Sequence, residues 1–570
     1  MSALPLAAKD AGTAGARLLD VEDLQVSFST RRGRVEAVRG VSLSLDAGET
    51  LGIVGESGSG KSVTAFAVTH LLEAAGRITG GRIAYRGRDI TRASWKTLRS
   101  THGAAISMIF QNPRAALNPI RTVGLQIADA LRVHADLGAA EARERALGLL
   151  RDVMIREPEK RLDAYPHELS GGMCQRVMIA MAIASEPALL IADEPTTGLD
   201  VTTQKTVMDL LADIARRRGM AIILITHDLG LAATYCQRVV VMEQGRIVEQ
   251  APPLQLFQAP RHPYTQRLVA ASPTPTSTIA DLVAGTPEGA AAPARLPVAQ
   301  VPQPPGTPPL LEVQGVAKHF DGGIVAVHDV SFRLARGESL GLVGESGSGK
   351  STLSRILCRL IDATHGEVLF DGQTLSGIPA RDFHRSPLRR EVQLVFQDPH
   401  DSLNPRFSAW DCIAHPLRRL MGLKGHAELD RAVRDCAARA GLPGELLDRF
   451  PHQLSGGQKA RVGIARAIAC KPRLLILDEP TAALDVSVQA VILQLLDRLR
   501  REEGLAFVFV SHDLNVVRMM CERTLVLRNG RVVEEGRSTE LFSAPQSDYT
   551  RALIDAIPHV ALAEPRKRAA

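Results

Sequence analysis

Two eight-residue segments of this chain are identical: Gly55-Glu56-Ser57-Gly58-Ser59-Gly60-Lys61-Ser62 and Gly344-Glu345-Ser346-Gly347-Ser348-Gly349-Lys350-Ser351. Each fits G-x-x-x-x-G-K-[ST], the spacing of a phosphate-binding loop. Glycines let such a backbone turn so that successive N–H groups point inward at phosphate oxygens. The lysine ammonium suits the outer phosphates, and the serine hydroxyl suits a magnesium ion. A helix is expected to follow each loop from Val63 and Thr352, adding its positive end to the anion site. Apolar runs precede both loops, Glu49 to Val54 and Ser339 to Val343, and read as buried parallel strands.

A second pattern lies downstream. Leu189-Leu190-Ile191-Ala192 ends in Asp193-Glu194, and Leu474-Leu475-Ile476-Leu477 ends in Asp478-Glu479. A strand end is expected to place Asp193 and Asp478 beside the phosphate loop, where a carboxylate can hold magnesium directly or through water. Glu194 and Glu479 are suited to orient or deprotonate an attacking water.

The patterns form a tandem repeat. The loop lysines, at 61 and 350, differ by 289, whereas Leu169-Ser170-Gly171-Gly172 and Leu454-Ser455-Gly456-Gly457 differ by 285. The offset of 285 also relates the Asp-Glu pairs, and relates Thr226-His227-Asp228-Leu229 to Ser511-His512-Asp513-Leu514. A constant offset over the later half of each unit implies one fold built twice. The coarse order within a unit is α/β, with a mostly parallel core and helices on its faces. Leu24, Val26 and Phe28 alternate as on a half-buried strand, and Ala146, Leu149, Leu150 and Val153 recur with helical spacing. Between the units, Ala271 to Pro309 holds ten prolines and one basic residue, Arg295, and reads as an extended, semi-rigid linker.

The 570 residues are 45% hydrophobic and 23% charged, with a net charge of +6, as expected of ordinary globular domains. No apolar run approaches the roughly 18 residues of a membrane span. Lys9 and Asp10 stand where an export signal needs an apolar stretch, so none is expected. Seven dispersed cysteines, with no C-x-x-C, argue against a disulfide framework or a zinc site.

Taken in order, these motifs resemble ATP-binding cassette (ABC) ATPases. Leu169 to Met173 and Leu454 to Gln458 resemble the family's signature. The resemblance implies ATP and magnesium as ligands and two α/β cassettes, each with an antiparallel β part and a helical subdomain. It implies head-to-tail pairing within the chain, in which Lys61 faces Ser455 and Lys350 faces Ser170, with Gly171, Gly172, Gly456 and Gly457 beside them. Gln111 and Gln397 match the glutamine loop, which senses magnesium and couples to a membrane partner. His227 and His512 match the switch histidine. Gly198-Leu199-Asp200 and Ala483-Leu484-Asp485 match the loops that communicate between sites. Phe28 and Phe320 are candidates to stack on adenine, or else core aromatics of a strand. One departure follows the signature, where the family's basic–Gln–Arg run reads Cys174-Gln175-Arg176 and then Lys459-Ala460-Arg461.

Two further segments narrow the resemblance. Phe110 to Pro119 and Phe396 to Pro405 resemble the extended glutamine loop of oligopeptide and dipeptide importers. Arg261-His262-Pro263-Tyr264-Thr265, with a weaker copy in Ser547-Asp548-Tyr549-Thr550, resembles that group's C-terminal motif. The implied partners are two transmembrane permease subunits and an extracytoplasmic substrate-binding protein. The implied place is the cytoplasmic face of the inner membrane, held peripherally. The cargo stays open among oligopeptide, dipeptide, microcin-like peptide, glutathione and nickel. No cysteine lies between Cys236 and Cys358, so the iron–sulfur cluster of some relatives is not expected. A tandem cassette working on ribosomes or nucleic acid is the competing class. It would call for a basic arm or zinc cysteines, and nucleic acid is not expected as a partner.

The expected boundaries are a tail over 1–16, a first ATPase domain over 17–259, an extension and linker over 260–309, a second ATPase domain over 310–543, and an extension and basic tail over 544–570. Gln111 to Pro119 and Gln397 to Pro405 are expected to dock the membrane subunits, with Leu117 and Leu403 on the docking surface.

Overall fold

Each unit begins on a long strand whose alternation sets one face into the core. In the computed structural model, β1 (Arg17–Thr30) buries Leu24 and Val26 and pairs antiparallel with β2 (Gly33–Asp46). The described residues are 16–30, 33–94, 97–98, 101, 103–283, 308–398, 402–482 and 484–558. The chain divides into two compact units, built mainly on residues up to Val269 and on Ala270–Ile557.

In the first unit, β3 (Thr50–Val54) leads through the glycine loop into the helix Lys61–Val68. β4 (Gly76–Tyr85) and β5 (Arg88–Asp89) complete an antiparallel sheet of order β2-β1-β4-β5. The second sheet adds β6 (Ile106–Ile109), β7 (Leu189–Asp193), β8 (Ala221–Thr226), β9 (Arg238–Glu243) and β10 (Arg246–Ala251). Its order is β10-β9-β3-β8-β7-β6, parallel except for the β9–β10 hairpin. The β7 and β8 residues are all buried, as continuous apolar strands covered on both faces must be. One core joins the two sheets, with Leu19, Val26 and Val41 from the antiparallel side and Leu51, Ile53, Ile191 and Ile223 from the parallel side.

Between β6 and β7 the chain leaves the sheet for a helical part containing Val123–His134, Ala139–Asp152 and Gly171–Ile183. Ala146, Leu149, Leu150 and Val153 are buried there, as their spacing requires.

The second unit repeats this plan. β11 (Leu311–Phe320), β12 (Ile324–Leu334), β14 (His365–Phe370) and β15 (Gln373–Thr374) form the antiparallel sheet. β13 (Ser339–Val343), β16 (Val392–Val395), β17 (Leu474–Asp478), β18 (Ala506–Val510), β19 (Arg523–Arg528) and β20 (Arg531–Arg537) form the other, in the order β16-β17-β18-β13-β19-β20. The helical part holds Ala409–Arg419, His426–Arg439 and Gly456–Ile468.

Two expectations change. Ala271 closes the helix Pro263–Ala271, and Ser272–Val283 lies against the second unit instead of extending as free linker. Arg518 donates to the carbonyls of Thr274 at 3.1 Å and Ser277 at 2.6 Å, and Leu282 is buried. The segment lacks apolar periodicity, but its carbonyls are strong acceptors for a guanidinium. The second correction concerns Leu117 and Leu403, which are 2% and 3% exposed and so are core residues, not a docking surface. Ile120, 82% exposed, occupies the surface in the first unit. Residues 284–307, Ala483, and part of the segment from Phe396 to Pro405 lie outside the described residues, as does the basic tail from Arg566 to Arg568. Among the described residues, no helix is long and apolar enough to cross a membrane.

Candidate nucleotide sites

The glycine loop turns under the end of β3, where no side chain fits. Gly55 has φ of 151°, and a Cβ there would lie 2.3 Å from the Met242 carbonyl oxygen. Gly344, at φ of 148°, would meet the Leu527 carbonyl oxygen at 2.2 Å. Gly58 and Gly60, and likewise Gly347 and Gly349, adopt positive φ. The loop therefore curls into a concave run of amides ahead of the helix starting at Lys61 or Lys350, the arrangement that favours an anion. Ser57 and Ser346 sit within that run, and Val63 and Thr352 lie in the first turn of the helix.

The buried Lys61 ammonium turns back on its own loop, donating to the carbonyls of Gly55 at 2.7 Å and Glu56 at 2.8 Å. Lys350 repeats this with Gly344 at 2.7 Å and Glu345 at 2.8 Å, and burial lowers its pKa. Phosphate oxygens could take over these donors without moving the lysine backbone.

The adjoining strand end brings in the acids. Ser62 Oγ donates to Asp193 Oδ1 at 3.1 Å, and Ser351 Oγ donates to Asp478 Oδ1 at 3.3 Å. A hydroxyl beside a carboxylate, next to a phosphate loop, is a hard oxygen set that fits magnesium. Burial pushes Asp193 up to about 6, opposed by the Ser62 hydrogen bond and reinforced by the Glu194 charge. Asp478 is raised for the same leading reason.

Glu194 and Glu479 hold left-handed backbone, with φ of 46° and 47°, although neither is glycine. Their amides are tied to the next strand, Glu194 N to Ile225 O and Glu479 N to Val510 O, both at 2.9 Å. The carboxylates then meet two side chains from elsewhere in the unit. Gln111 Nε2 donates to Glu194 Oε2 at 2.6 Å, and His227 Nδ1 lies 3.4 Å from Glu194 Oε1. Gln397 donates to Glu479 at 2.8 Å, with His512 Nδ1 at 3.3 Å. Burial opposes ionisation of Glu194, but the His227 hydrogen bond and charge outweigh it and lower the carboxyl to about 2. The same balance lowers Glu479. His227 and His512 are raised because the glutamate contacts exceed the opposing effect of burial.

The two sites differ in one contact that the motifs did not signal. Thr197 donates to Glu194 Oε2 at 3.0 Å, and the corresponding residue 285 positions on is Ala482. Gln126 was also missed. Its side chain accepts from Asn118 N at 2.8 Å and donates to Asn118 O and Arg121 O, bracing the loop that carries Gln111.

The signature residues cap a helix instead of joining this cluster. Ser170 Oγ accepts from Met173 N, and Ser455 Oγ accepts from Gln458 N, each at 3.3 Å. Gln458 Oε1 also accepts from Ser455 N, a reciprocal cap that Met173 cannot form. The flanking glycines keep the helix start slim, since a Cβ on Gly457 would lie 2.5 Å from Val488. The departures after the signature are absorbed locally. Cys174 is buried where Lys459 is buried, and Arg176 and Arg461 both donate to turn carbonyls, Met154 O and Gly441 O.

The candidate adenine platforms are unlike each other. Phe28 is partly buried against the core, with Gly76 facing its ring, whereas Phe320 is 43% exposed with Lys318 Nζ 5.2 Å from its ring centre.

Together, a phosphate loop, a serine hydroxyl on a buried aspartate and an ionised glutamate held by Gln and His define a P-loop ATPase site, present twice. The chain matches the ABC transporter family over residues 38–197 and 327–482, and it belongs to that family. It also matches the oligopeptide/dipeptide transporter C-terminal region over residues 248–296 and 533–569. It is thus an ATP-hydrolysing subunit with two ABC cassettes that powers transport.

Among similar proteins is the glutathione import ATP-binding protein GsiA of Pectobacterium atrosepticum, 43% identical over 97% of this chain and 91% of that protein. The peptidoglycan transport ATP-binding protein YejF of Agrobacterium fabrum is 44% identical over 95% of this chain and 96% of that one. A solved ATP-binding cassette in a post-hydrolysis state, bound to ADP and Pi, is 34% identical over 40% of this chain and 98% of its own, with a TM-score of 0.37.

Proposed function

We propose that this chain drives import of peptide-class cargo, with ATP as substrate at both sites. The observation that carries the reading is the duplicated C-terminal region of the oligopeptide/dipeptide transporter type, following two cassettes that each keep loop, acids, glutamine and histidine. Relatives named for glutathione and peptidoglycan transport support the same cargo class.

In this reading Lys61 and Lys350 exchange their loop carbonyls for ATP phosphate oxygens, and the amides of Gly58 to Val63 and Gly347 to Thr352 cradle them. Ser62 with Asp193, and Ser351 with Asp478, would hold magnesium, with Gln111 and Gln397 as further candidate ligands, and the ion would supply neutralisation of phosphate charge. Phe28 and Phe320 offer ring faces to adenine. Glu194 and Glu479 align the attacking water. A carboxyl lowered to about 2 is a weak base. Its role is therefore to orient water and to accept a proton as the bond to phosphorus forms, which suits a loose phosphoryl-transfer transition state. His227 and His512 keep the carboxylate ionised and turned toward the site. Ser170 to Gly172 and Ser455 to Gly457 complete the opposite site by head-to-tail pairing, their helix N-termini facing the outer phosphate.

The partners are two transmembrane permease subunits and an extracytoplasmic substrate-binding protein, and the chain sits peripherally at the cytoplasmic face of the inner membrane. We take the ATPase domains as 17–259 and 310–543 and the extensions as 260–309 and 544–570, with Ser272–Val283 of the first extension packed on the second unit.

Uptake of labelled tripeptides and glutathione tests the reading. A strain lacking the chain should lose uptake of at least one of them, and the parental sequence should restore it while Glu194→Gln with Glu479→Gln does not. Uptake unaffected by the deletion would sink the peptide assignment. The same chain with Ser170→Arg should lose azido-ATP labelling in the half containing Lys350; loss confined to the Lys61 half would exclude head-to-tail pairing.

A further inference from the structure

The C-terminal motif of each unit ends on its phosphate loop. Glu249 on β10 accepts from the amides of Arg261 and His262, both at 2.9 Å. Glu534 on β20 accepts from Gln546 at 2.8 Å and Ser547 at 3.0 Å. One carboxylate spanning two successive amides hooks the turn and sets the start of the next helix, Pro263–Ala271 or Asp548–Asp555. The tyrosine amide is capped in both, by His262 Nδ1 for Tyr264 and by Ser547 Oγ for Tyr549, each at 3.2 Å. The capping residue differs while the geometry is retained, so the construction aims the tyrosine.

The rings are buried, 5% exposed at Tyr264 and 9% at Tyr549. Each carries an arginine against its face, Arg267 at 5.8 Å from the ring centre and Arg528 at 4.7 Å. Their hydroxyls accept from the second residue of the phosphate loop, Glu56 N to Tyr264 Oη at 3.0 Å and Glu345 N to Tyr549 Oη at 3.1 Å. The carbonyls of the same two glutamates accept from the loop lysines at 2.8 Å. Tyrosine thus holds the amide side of Glu56 and Glu345, and lysine holds the carbonyl side. When phosphate draws the lysine away, the tyrosine hydroxyl remains to keep that peptide in place.

We propose that Tyr264 and Tyr549 are positioning residues for the phosphate loops, through which the C-terminal region of each unit sets its affinity for ATP. The proposal rests on the reading of these loops as the ATP sites. Tyrosine to phenylalanine removes the hydroxyl and leaves the packed ring, so it separates loop positioning from packing.

The test uses the full purified chain with Tyr264→Phe and Tyr549→Phe, singly and together. Saturation of azido-ATP labelling is measured in each half after cleavage between the units, alongside steady-state ATPase and nucleotide-free melting. Tyr264→Phe should weaken labelling of the Lys61 half, and Tyr549→Phe that of the Lys350 half, by about tenfold, the effect of one lost hydrogen bond. KM for ATP should rise in the double variant with kcat within about twofold of the parent, because the hydroxyl acts on loop geometry and not on the reacting atoms. Parental affinity in both halves would overturn the proposal. So would a lowered nucleotide-free melting temperature with unchanged KM, which would make the tyrosines packing residues only. Lys61→Ala serves as the control: labelling of its half that persists in this variant would overturn the ATP-site reading itself.

Discussion

Gln111 donates its side-chain amide to the Glu194 carboxylate at 2.6 Å, from a position 83 residues away in sequence. The pair closes one oxygen of the glutamate that His227 approaches from the other side. Gln397 and Glu479 repeat it at 2.8 Å. The loop proposed to face the membrane partner is therefore bonded to the residue proposed to align water. Any displacement of that loop changes which group the carboxylate can serve.

Replacing Glu194 and Glu479 by Gln should lower ATP turnover by ~10²–10⁴, the range for loss of a positioned proton acceptor. Azido-ATP labelling should persist, since the loop contacts are untouched. A phosphate-release assay on the double variant checks this, and parental turnover would remove the glutamates from the chemistry.

Leu117→Asp should destabilise the first unit by more than about 4 kcal/mol, because a charge would be placed without a partner in a closed core. Ile120→Asp, at a position 82% exposed, should leave the melting curve within the usual surface range. It should weaken cross-linking to the permease subunits if this loop is the docking surface. Equal melting of the two variants would contradict the burial of Leu117.

Arg518→Ala should loosen Ser272–Val283. The guanidinium donates to the carbonyls of Thr274 and Ser277, and losing charged hydrogen bonds of this kind costs about 1.5–3 kcal/mol. Limited proteolysis should then cut within this segment faster by an order of magnitude or more, while ATPase activity of the uncut chain stays near the parental value. An unchanged cutting rate would mean that Leu282 and its neighbours hold the segment without the arginine.

Met173→Gln should give the first signature helix the reciprocal cap that Ser455 and Gln458 already form. The expected gain is about 0.5–1 kcal/mol in local stability. Hydrogen exchange of the amides at the start of Gly171–Ile183 is the direct readout, and it should slow several-fold. Exchange at the parental rate would show that the Met173 side chain already excludes water from those amides.

Much of the site was legible in the sequence because its parts are local. A loop of Gly55, Gly58, Gly60, Lys61 and Ser62 specifies its own curl, since glycine at each of the three positive-φ positions turns the backbone without strain and a following helix completes the anion site. Buried strands announce themselves as unbroken apolar runs, and their ends locate Asp193 and Glu194. The doubling of the fold was likewise fixed by the constant offset of 285. The tertiary structure decided what depends on the meeting of distant segments. Leu117 and Ile120 are both apolar residues of one loop, and only the helical part packed beside them buries the first and exposes the second. The proline-rich stretch after Ala271 carries no pattern that foretells docking, because the donor is Arg518, more than 240 residues on. Tyr264 reaches Glu56 across 208 residues, and Tyr549 reaches Glu345 across 204. A side-chain hydroxyl has no periodicity of its own, so its partner is set only when β10 and β20 bring the C-terminal helices back to the loops.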